Sequence, residues 1–259
     1  MIVTTARNQE QLHEKAEEVA KAVRGVFVPR NDHSISRLCQ LYKTDRLLLV
    51  TKEGIQCVFC DNQTHPFVFH PNAAMLRIRN LLSGGNDPLQ EAAGLKEGMT
   101  VLDCTLGLGA DAIVASFIVG PSGQVTGIES EAVLATIVQD GLKSKVTTNQ
   151  AVDQAMRRIK VVCADHLNYL KECPSKHYDV ILFDPMFEKT VHQSSGLAPL
   201  KRLANYSDLR DEAVSEAKRV AKKRVILKDS RQSSRFERLG FNPLKRPNAS
   251  FWYGIIEVE

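Results

Sequence analysis

Apolar residues recur at helical spacing over residues 9–24, where Leu12, Ala16, Val19, Ala20 and Val23 share a face, and again over 34–42 through Ile35, Leu38 and Leu41. Gly25 is placed to end the first helix. The period then changes to alternation, and 46–51, 55–60 and 66–69 read as three short strands, the first two joined by a turn at Lys52-Glu53-Gly54. Residues 1–71 therefore form a small α+β unit. Helices follow over 73–82, closed by Gly84-Gly85, and over 88–93, with Asp87 as N-cap, Pro88 in the first position and Gly94 just past the end. From there strands (101–102, 124–128, 159–163, 180–183, 224–227) alternate with helices (110–119, 130–142, 149–157, 208–221). Such alternation predicts an α/β fold with a doubly wound, mostly parallel, Rossmann-like sheet. Segments 241–244 and 251–258 supply antiparallel C-terminal strands to it, within a domain spanning 72–259.

The carboxyl ends of those strands carry the candidate chemistry. Val101 and Leu102 run into Asp103 and then a turn in which Gly107 and Gly109 let a ligand approach the backbone, at the amino end of the helix 110–119. The bare spacing Gly107-x-Gly109-x-x-Ala112, with Glu129 20 residues past Gly109, fits a dinucleotide fingerprint, so hydride transfer with NAD is one reading. Asp103 argues for another, because a carboxylate there repels a pyrophosphate and suits a cationic amino-acid ligand. S-adenosylmethionine carries both an ammonium and a sulfonium. Asp103, Glu129, Asp165, Asp184 and Asp229 all end predicted strands, which is where ligands gather in an open parallel sheet. On this reading Glu129 accepts the ribose hydroxyls, Asp165 the adenine amine, and Asp103 lies near the methionine ammonium.

Composition narrows the class. Apolar content of 43% and charge content of 25% fit a globular chain and exclude disordered or collagenous ones. The longest apolar run, 112–119, falls short of the roughly 20 residues needed to span a bilayer, and residues 1–7 lack the build of a signal peptide, so a cytoplasmic protein is expected. The six cysteines show no disulfide framework and are expected to be reduced and buried. Cys57-x-x-Cys60, with His65 and His70 behind it, invites a zinc or redox reading, but 55–60 alternates like a strand and no second Cys-x-x-Cys exists, so no metal is assigned.

At Asp184-Pro185-Met186-Phe187 the chain resembles the Asp-Pro-Pro-Tyr/Phe box of class I methyltransferases that act on exocyclic amines of bases or on glutamine. That likeness implies catalytic roles for Asp184, Pro185 and Phe187: the Asp184 carboxylate and Pro185 carbonyl hold the two N–H groups, and Phe187 stacks on the ring. Further carriers are M-L-R-I-R-N-L-L-S-G-G before the first parallel strand, D-C-T-L-G-L-G-A-D-A, I-E-S, C-A-D-H and K-R-V-I-L-K-D. Together they make residues 74–228 resemble the bacterial small-subunit ribosomal RNA guanine-N2 methyltransferases, which modify a guanine near the 3′ end. The resemblance implies S-adenosyl-L-methionine as cofactor and RNA as partner, with Ala110, Asp111, Glu129, Ser130, Asp165, His166 and Asp184 at cofactor positions. The chain departs from the family at Ala110, where an arginine is usual, at Asp165-His166, where a serine pair is, and at the less basic loop 188–196. A protein or small-molecule amine is the alternative acceptor, and a non-catalytic module binding RNA or cofactor is the other alternative.

Charge points the same way. Residues 201–246 carry fourteen Lys or Arg against six Asp or Glu, a local +8 in a chain of net +4. Lys222, Lys223, Arg224 and Arg231, with Arg77 and Arg79 near the glycine pair, are the candidate phosphate contacts.

Overall fold

The computed structural model describes residues 1–187, 200, 202–203, 205–247 and 249–258. Its N-terminal part builds a five-stranded sheet in the order β2-β1-β3-β4-β5, from β1 (Ile2–Thr5), β2 (Val26–Phe27), β3 (Arg46–Thr51), β4 (Gly54–Phe59) and β5 (Asn62–Val68). Helices α1 (His13–Ala22) and α2 (Ile35–Leu41) connect the first three strands. Two of the five strands were not legible in the sequence. The first, Ile-Val-Thr-Thr, is buried at all four positions because it lies inside the sheet, parallel to both β2 and β3, and so shows no alternation. Helix α1 also ends one residue earlier than the glycine suggests: Arg24 takes the left-handed conformation (φ 51°), and the Gly25 amide closes the turn on the Ala20 carbonyl at 2.8 Å.

The expectation that all cysteines are reduced fails at one pair. Cys39, near the end of α2, and Cys60, just past β4, form a disulfide with their Cα atoms 6.1 Å apart. The antiparallel pairing of β3 with β4 brings these positions together across a sequence separation of 21. Cys57 packs in a different apolar cluster, and burial pushes its thiol up to about 12, so the Cys-x-x-Cys spacing does not act as a unit. Cys163 is exposed and Cys173 half-buried, whereas Cys57 and Cys104 are buried.

The second sheet has seven strands in the order β11-β12-β10-β9-β6-β7-β8. It comprises β6 (Thr100–Asp103), β7 (Gln124–Glu129), β8 (Ile159–Cys163), β9 (Tyr178–Phe183), β10 (Ala221–Ser230), β11 (Asn242–Leu244) and β12 (Phe251–Glu257). All pairs from β8 through β10 are parallel, and β12 closes the sheet antiparallel to β10 and β11. The helices are α3 (Asn72–Leu82), α4 (Pro88–Ala93), α5 (Ala110–Val119), α6 (Ala132–Ser144), α7 (Gln150–Arg157), α8 (His166–Glu172), α9 (Asp211–Val220) and α10 (Arg235–Arg238). Helix α4 is bounded as its sequence requires: Asp87 Oδ1 accepts the Leu89 amide at 2.9 Å and Gly94 sits at φ 62°. Helix α5 is apolar on nearly every side because it packs on β6 and β7 while α3, α4 and α7 cover its other faces.

The two sheets share one core. Buried residues Val3, Val50 and Phe59 of the first belong to the same contiguous cluster as Val101 and Val180 of the second and Ile113 and Ile137 on helices α5 and α6. Helix α6 is the seam: Asp140 accepts the Ile55 amide at 3.3 Å and pairs with Lys15 at 2.6 Å. The next residue, Gly141, lets the Phe69 ring lie against the helix backbone, where a Cβ would come within 2.2 Å of the ring. The order in which strands are added reverses between the parallel neighbours β6 and β9, so β6, β7 and β8 are laid down to one side and β9 and β10 to the other, and the crevice outside their carboxyl ends is the topological switch point.

Candidate active site

At that switch point lies a cavity of about 640 Å³, in the size range of small-molecule sites. Its floor is the turn after β6. Asp103 Oδ1 accepts the Thr105 amide at 3.0 Å, and the Leu106 amide donates to the Ile128 carbonyl at 2.9 Å, which extends the sheet into the turn. Gly107 and Gly109 hold φ of 50° and 74°, the left-handed region that side chains resist, and Gly109 caps α5. A Cβ at Gly107 would meet only the Thr105 carbonyl, at 3.8 Å, so the glycine leaves the floor open.

Four of the cofactor residues read from the sequence line the cavity beside Gly107: Glu129, Ser130, Asp165 and His166. Glu129 is held by the Gly107 amide (3.2 Å) and the Glu131 amide (2.9 Å), while burial raises its carboxyl. Asp165 caps α8, a helix too short for its periodicity to show, by accepting the Asn168 amide at 3.0 Å. Burial lowers the pKa of His166, aided by Arg210 and opposed by Asp165, and its ring meets Phe183 edge-on at 5.7 Å. Ile128, Leu134 and Leu200 supply the apolar walls.

Asp184 and Pro185 form the opposite wall. The Asp184 amide donates to Thr105 Oγ1 at 2.5 Å, and its Oδ2 accepts Lys228 Nζ at 2.7 Å. Phe187 is partly buried and is not among the cavity-lining residues. The loop 188–196 after the box lies outside the described residues. Arg235, 6% exposed, braces the box from behind by donating to the Met186 carbonyl (3.1 Å), to Asp229 (2.9 Å) and to Asp208 (2.7 Å). Asp229, the fifth strand-end acid, is thus fully buried in a structural pair.

Four expectations change, at Asp111, at Arg77, at the basic cluster of β10 and at Asp103. Asp111, expected at the methionine end of a cofactor, turns inward: it pairs with Arg77 and Lys228 (2.9 Å) and accepts Tyr253 OH at 3.3 Å. Burial alone would raise its carboxyl, but Lys228 and Arg77 hold it well below the usual range. Arg77, expected on an RNA-facing surface, is clamped between Asp111 and Asp87, the latter at 2.7 and 2.8 Å. Lys222, Lys223 and Arg224 sit at the amino end of β10, about 13 to 20 Å of extended chain from Lys228. There Lys223 pairs with Asp179 (3.3 Å), and Arg224 with Glu257 (2.8 Å) and the Ala92 carbonyl (3.1 Å). That cluster does not flank the cavity. Arg79 and Arg231 are exposed, and Arg210, at the cavity mouth, is a cation the sequence reading did not single out.

Asp103 does not line the cavity; it is buried below the floor at 3% exposure. Burial, then Asp111 and Asp184, push its carboxyl from 3.8 up to about 8, against the Thr105 amide and Lys228. A carboxyl whose folded pKa is raised binds more protons folded than unfolded, so stability falls as pH rises from about 4 to about 8. Asp103→Asn keeps the acceptor for Thr105 and removes this term. Denaturant melts of that variant are expected to gain stability relative to the parent as pH rises through this window, and parallel curves would contradict the assignment.

The fold, the glycine floor and the strand-end acids together define a nucleotide-binding methyltransferase site. A family model described as "Putative SAM-dependent methyltransferase" matches residues 36–240, and the chain belongs to this family. S-adenosylmethionine is therefore its cofactor, and the dinucleotide reading of the glycine spacing gives way. The chain is 43% identical to the uncharacterized protein YpiP of Bacillus subtilis, over 100% of this chain and 99% of that one. It is 28% identical to ribosomal RNA small subunit methyltransferase J of Shewanella loihica, covering 79% of this chain and 82% of the relative. The Coxiella burnetii protein of the same name is 31% identical over 65% and 63%. A crystal structure of a SAM-dependent methyltransferase from Neisseria gonorrhoeae shares the fold, with a TM-score of 0.67 at 16% identity over 99% of this chain and 96% of that one. Among the described residues, no helix is long and apolar enough to cross a membrane.

Proposed function

We propose that this methyltransferase acts on the exocyclic N2 amine of a guanine in small-subunit ribosomal RNA. The observation that carries the reading is the position of Asp184: it lines the cavity wall beside Pro185, and among the described residues its Oδ1 has no hydrogen-bond partner. An ionised carboxylate there accepts an N–H from an amine and directs the nitrogen lone pair into the cavity. The relatives named as ribosomal RNA small subunit methyltransferase J support RNA as the acceptor. A paired base hides its exocyclic amine, so the guanine enters flipped or single-stranded, with Phe187 as the stacking ring. RNA as substrate entails a cytoplasmic site of action.

The residues present fit the cofactor. Glu129 would take the ribose hydroxyls, Asp165 and His166 the adenine side, and Gly107 with Ser130 the intervening backbone and edge. When bound, S-adenosylmethionine would supply an electrophilic methyl on a cationic sulfur, toward which Asp184 and Pro185 would direct the amine lone pair, with a neutral thioether as the leaving group. Asp184 Oδ1 then takes the proton from the methylated nitrogen and passes it to water. The apolar walls exclude water from the reacting nitrogen. Arg79, Arg210 and Arg231 are exposed cations available to meet phosphates.

Residues 1–71 act as an accessory unit that supports the cavity wall of a methyltransferase domain spanning 72–259. Arg202, close to the wall residue Leu200, lies 3.9 Å over the Phe59 ring, pairs with Asp61 at 2.9 Å, and its carbonyl accepts Arg46 at 3.2 Å. Small ribosomal subunits from a strain lacking the gene, incubated with the protein and radiolabelled cofactor, are expected to yield N2-methylguanosine on nucleoside mass spectrometry. Label confined to protein or to small molecules would contradict the RNA reading.

A further inference from the structure

A file of alternating charges crosses the interior behind the cavity. It starts at Asp87, the N-cap of α4, and passes through Arg77 on α3, Asp111 on α5 and Lys228 on β10 to end at Asp184. The sequence gives no hint of it beyond a lysine standing inside an apolar strand. The register that sets Leu227 opposite Phe183 carries the next residues, Lys228 and Asp184, past the ends of neighbouring parallel strands. The Lys228 side chain is 15% exposed; its Nζ lies 2.7 Å from Asp184 Oδ2, 2.9 Å from Asp111 Oδ2 and 5.1 Å from the Phe251 ring centroid. Three acids and two bases leave one negative charge uncompensated, and the member of the file that reaches the cavity is Asp184.

We propose that Lys228 is a positioning residue for methyl transfer: its ammonium pins Oδ2 of Asp184 and leaves Oδ1 as the oxygen offered to the substrate amine. The inference rests on the reading of Asp184 as the amine acceptor and adds what holds that acceptor in place. Two physical requirements meet at this contact. An unrestrained carboxylate swivels about its terminal torsion, whereas in-line attack needs the amine held in one orientation. Thr105 holds the backbone of Asp184 at its amide and Lys228 holds Oδ2, which restrains the carboxylate torsion and keeps Oδ1 distinct from its twin. The second requirement is charge. A protonated Asp184 would donate its O–H to the amine nitrogen and occupy the lone pair that must attack.

The surroundings of Asp184 favour the protonated form apart from this lysine. Burial raises its carboxyl, and Asp111 from α5 and Asp229 from β10 add like charge, whereas Asp103 from β6, its own carboxyl pushed up to about 8, is protonated at neutral pH. Tyr253 of β12 is kept neutral by burial, Asp229 is partnered by Arg235, and Arg77 acts on Asp111. Lys228 is the cation in contact with Asp184, and Asp111 and Asp184 together hold the ammonium charged despite its burial. Activity needs the carboxylate, so it is lost as pH falls through the folded pKa of Asp184; removing the ammonium raises that pKa and moves the acidic limb to higher pH.

The test uses the full chain with S-adenosylhomocysteine bound, as Lys228→Met, Lys228→Arg and the parent. Carboxyl-carbon NMR, with the Asp184 signal assigned by its loss in Asp184→Asn, reads the titration without any substrate. The midpoint is expected to rise by at least about one pH unit in Lys228→Met and to stay within about half a unit in Lys228→Arg. In the methyl-transfer assay the acidic limb of kcat/KM should move up with it, and Lys228→Met should lose activity at neutral pH that it partly regains at higher pH. A double variant Lys228→Met/Asp184→Asn should be no slower than Asp184→Asn alone. Coincident NMR midpoints in parent and Lys228→Met would overturn the inference, as would a pH-independent loss of rate in a folded variant. A shifted midpoint with no transfer to RNA by the parent would count against the guanine acceptor and not against the Lys228–Asp184 contact.

Discussion

Asp184→Ala is expected to lose methyl transfer by about a thousandfold or more while binding S-adenosylhomocysteine within roughly tenfold of the parent. The size follows from where the carboxylate acts. Positive charge develops on the amine nitrogen as the bond forms, and a preorganised acceptor aimed at that nitrogen stabilises charge present only in the transition state, a term worth about two to three orders of magnitude in comparable sites. Loss of lone-pair alignment adds to it. The cofactor affinity is largely spared because the Asp184 amide stays on Thr105 and the floor at Gly107 is untouched. Truncation also leaves Lys228 with Asp111 as its remaining partner, so the interior pair keeps its charge balance. Single-turnover transfer and calorimetry on the same preparation separate these effects. A variant with parental rate would remove Asp184 from the reaction, and one that binds no cofactor would show that its role is structural.

Glu129→Ala is expected to show the opposite split. Its two carboxylate oxygens already order the Gly107 and Glu131 amides, and the side chain lines the cavity. Losing a charged acceptor of this kind costs about 1.5–3 kcal/mol, which is roughly 10- to 150-fold in cofactor affinity. Saturating cofactor should then restore most of kcat, because Glu129 stands away from the reacting amine. The measurement is the cofactor dependence of the rate beside the calorimetric Kd. A fall in kcat with unchanged affinity would reverse the roles given to Glu129 and Asp184.

The parts of this site that the sequence disclosed are the local ones. The run from Val101 to Ala112 is strand, turn and helix in sequence order, so its glycines declare their geometry without help from the rest of the chain, whereas Asp103 at the strand end turns below the floor. Three of the five strand-end acids, Glu129, Asp165 and Asp184, line the cavity, because alternating elements tell which residue follows a buried strand; Asp103 and Asp229 follow strands too but are buried away from it. Asp111 was misplaced because its fate depends on Arg77, 34 residues before it, and Lys228, 117 after it. Nothing in the turn itself reveals that three partners close on that carboxylate. The basic segment failed differently. Lys222, Lys223 and Arg224 are adjacent to β10 residues that do reach the site, but linear charge density does not say at which end of a strand the charges fall. The Cys39–Cys60 bond needed the β3–β4 register, and the four-residue β1 needed neighbours on both sides before it became a strand at all.

The most direct test of the whole account is a crystal structure with S-adenosylhomocysteine bound. The ligand is expected over Gly107, with its ribose hydroxyls within hydrogen-bond distance of Glu129, its adenine toward Asp165 and His166, and its sulfur facing Asp184. A ligand bound outside this cavity, or one whose sulfur is turned away from Asp184, would contradict it.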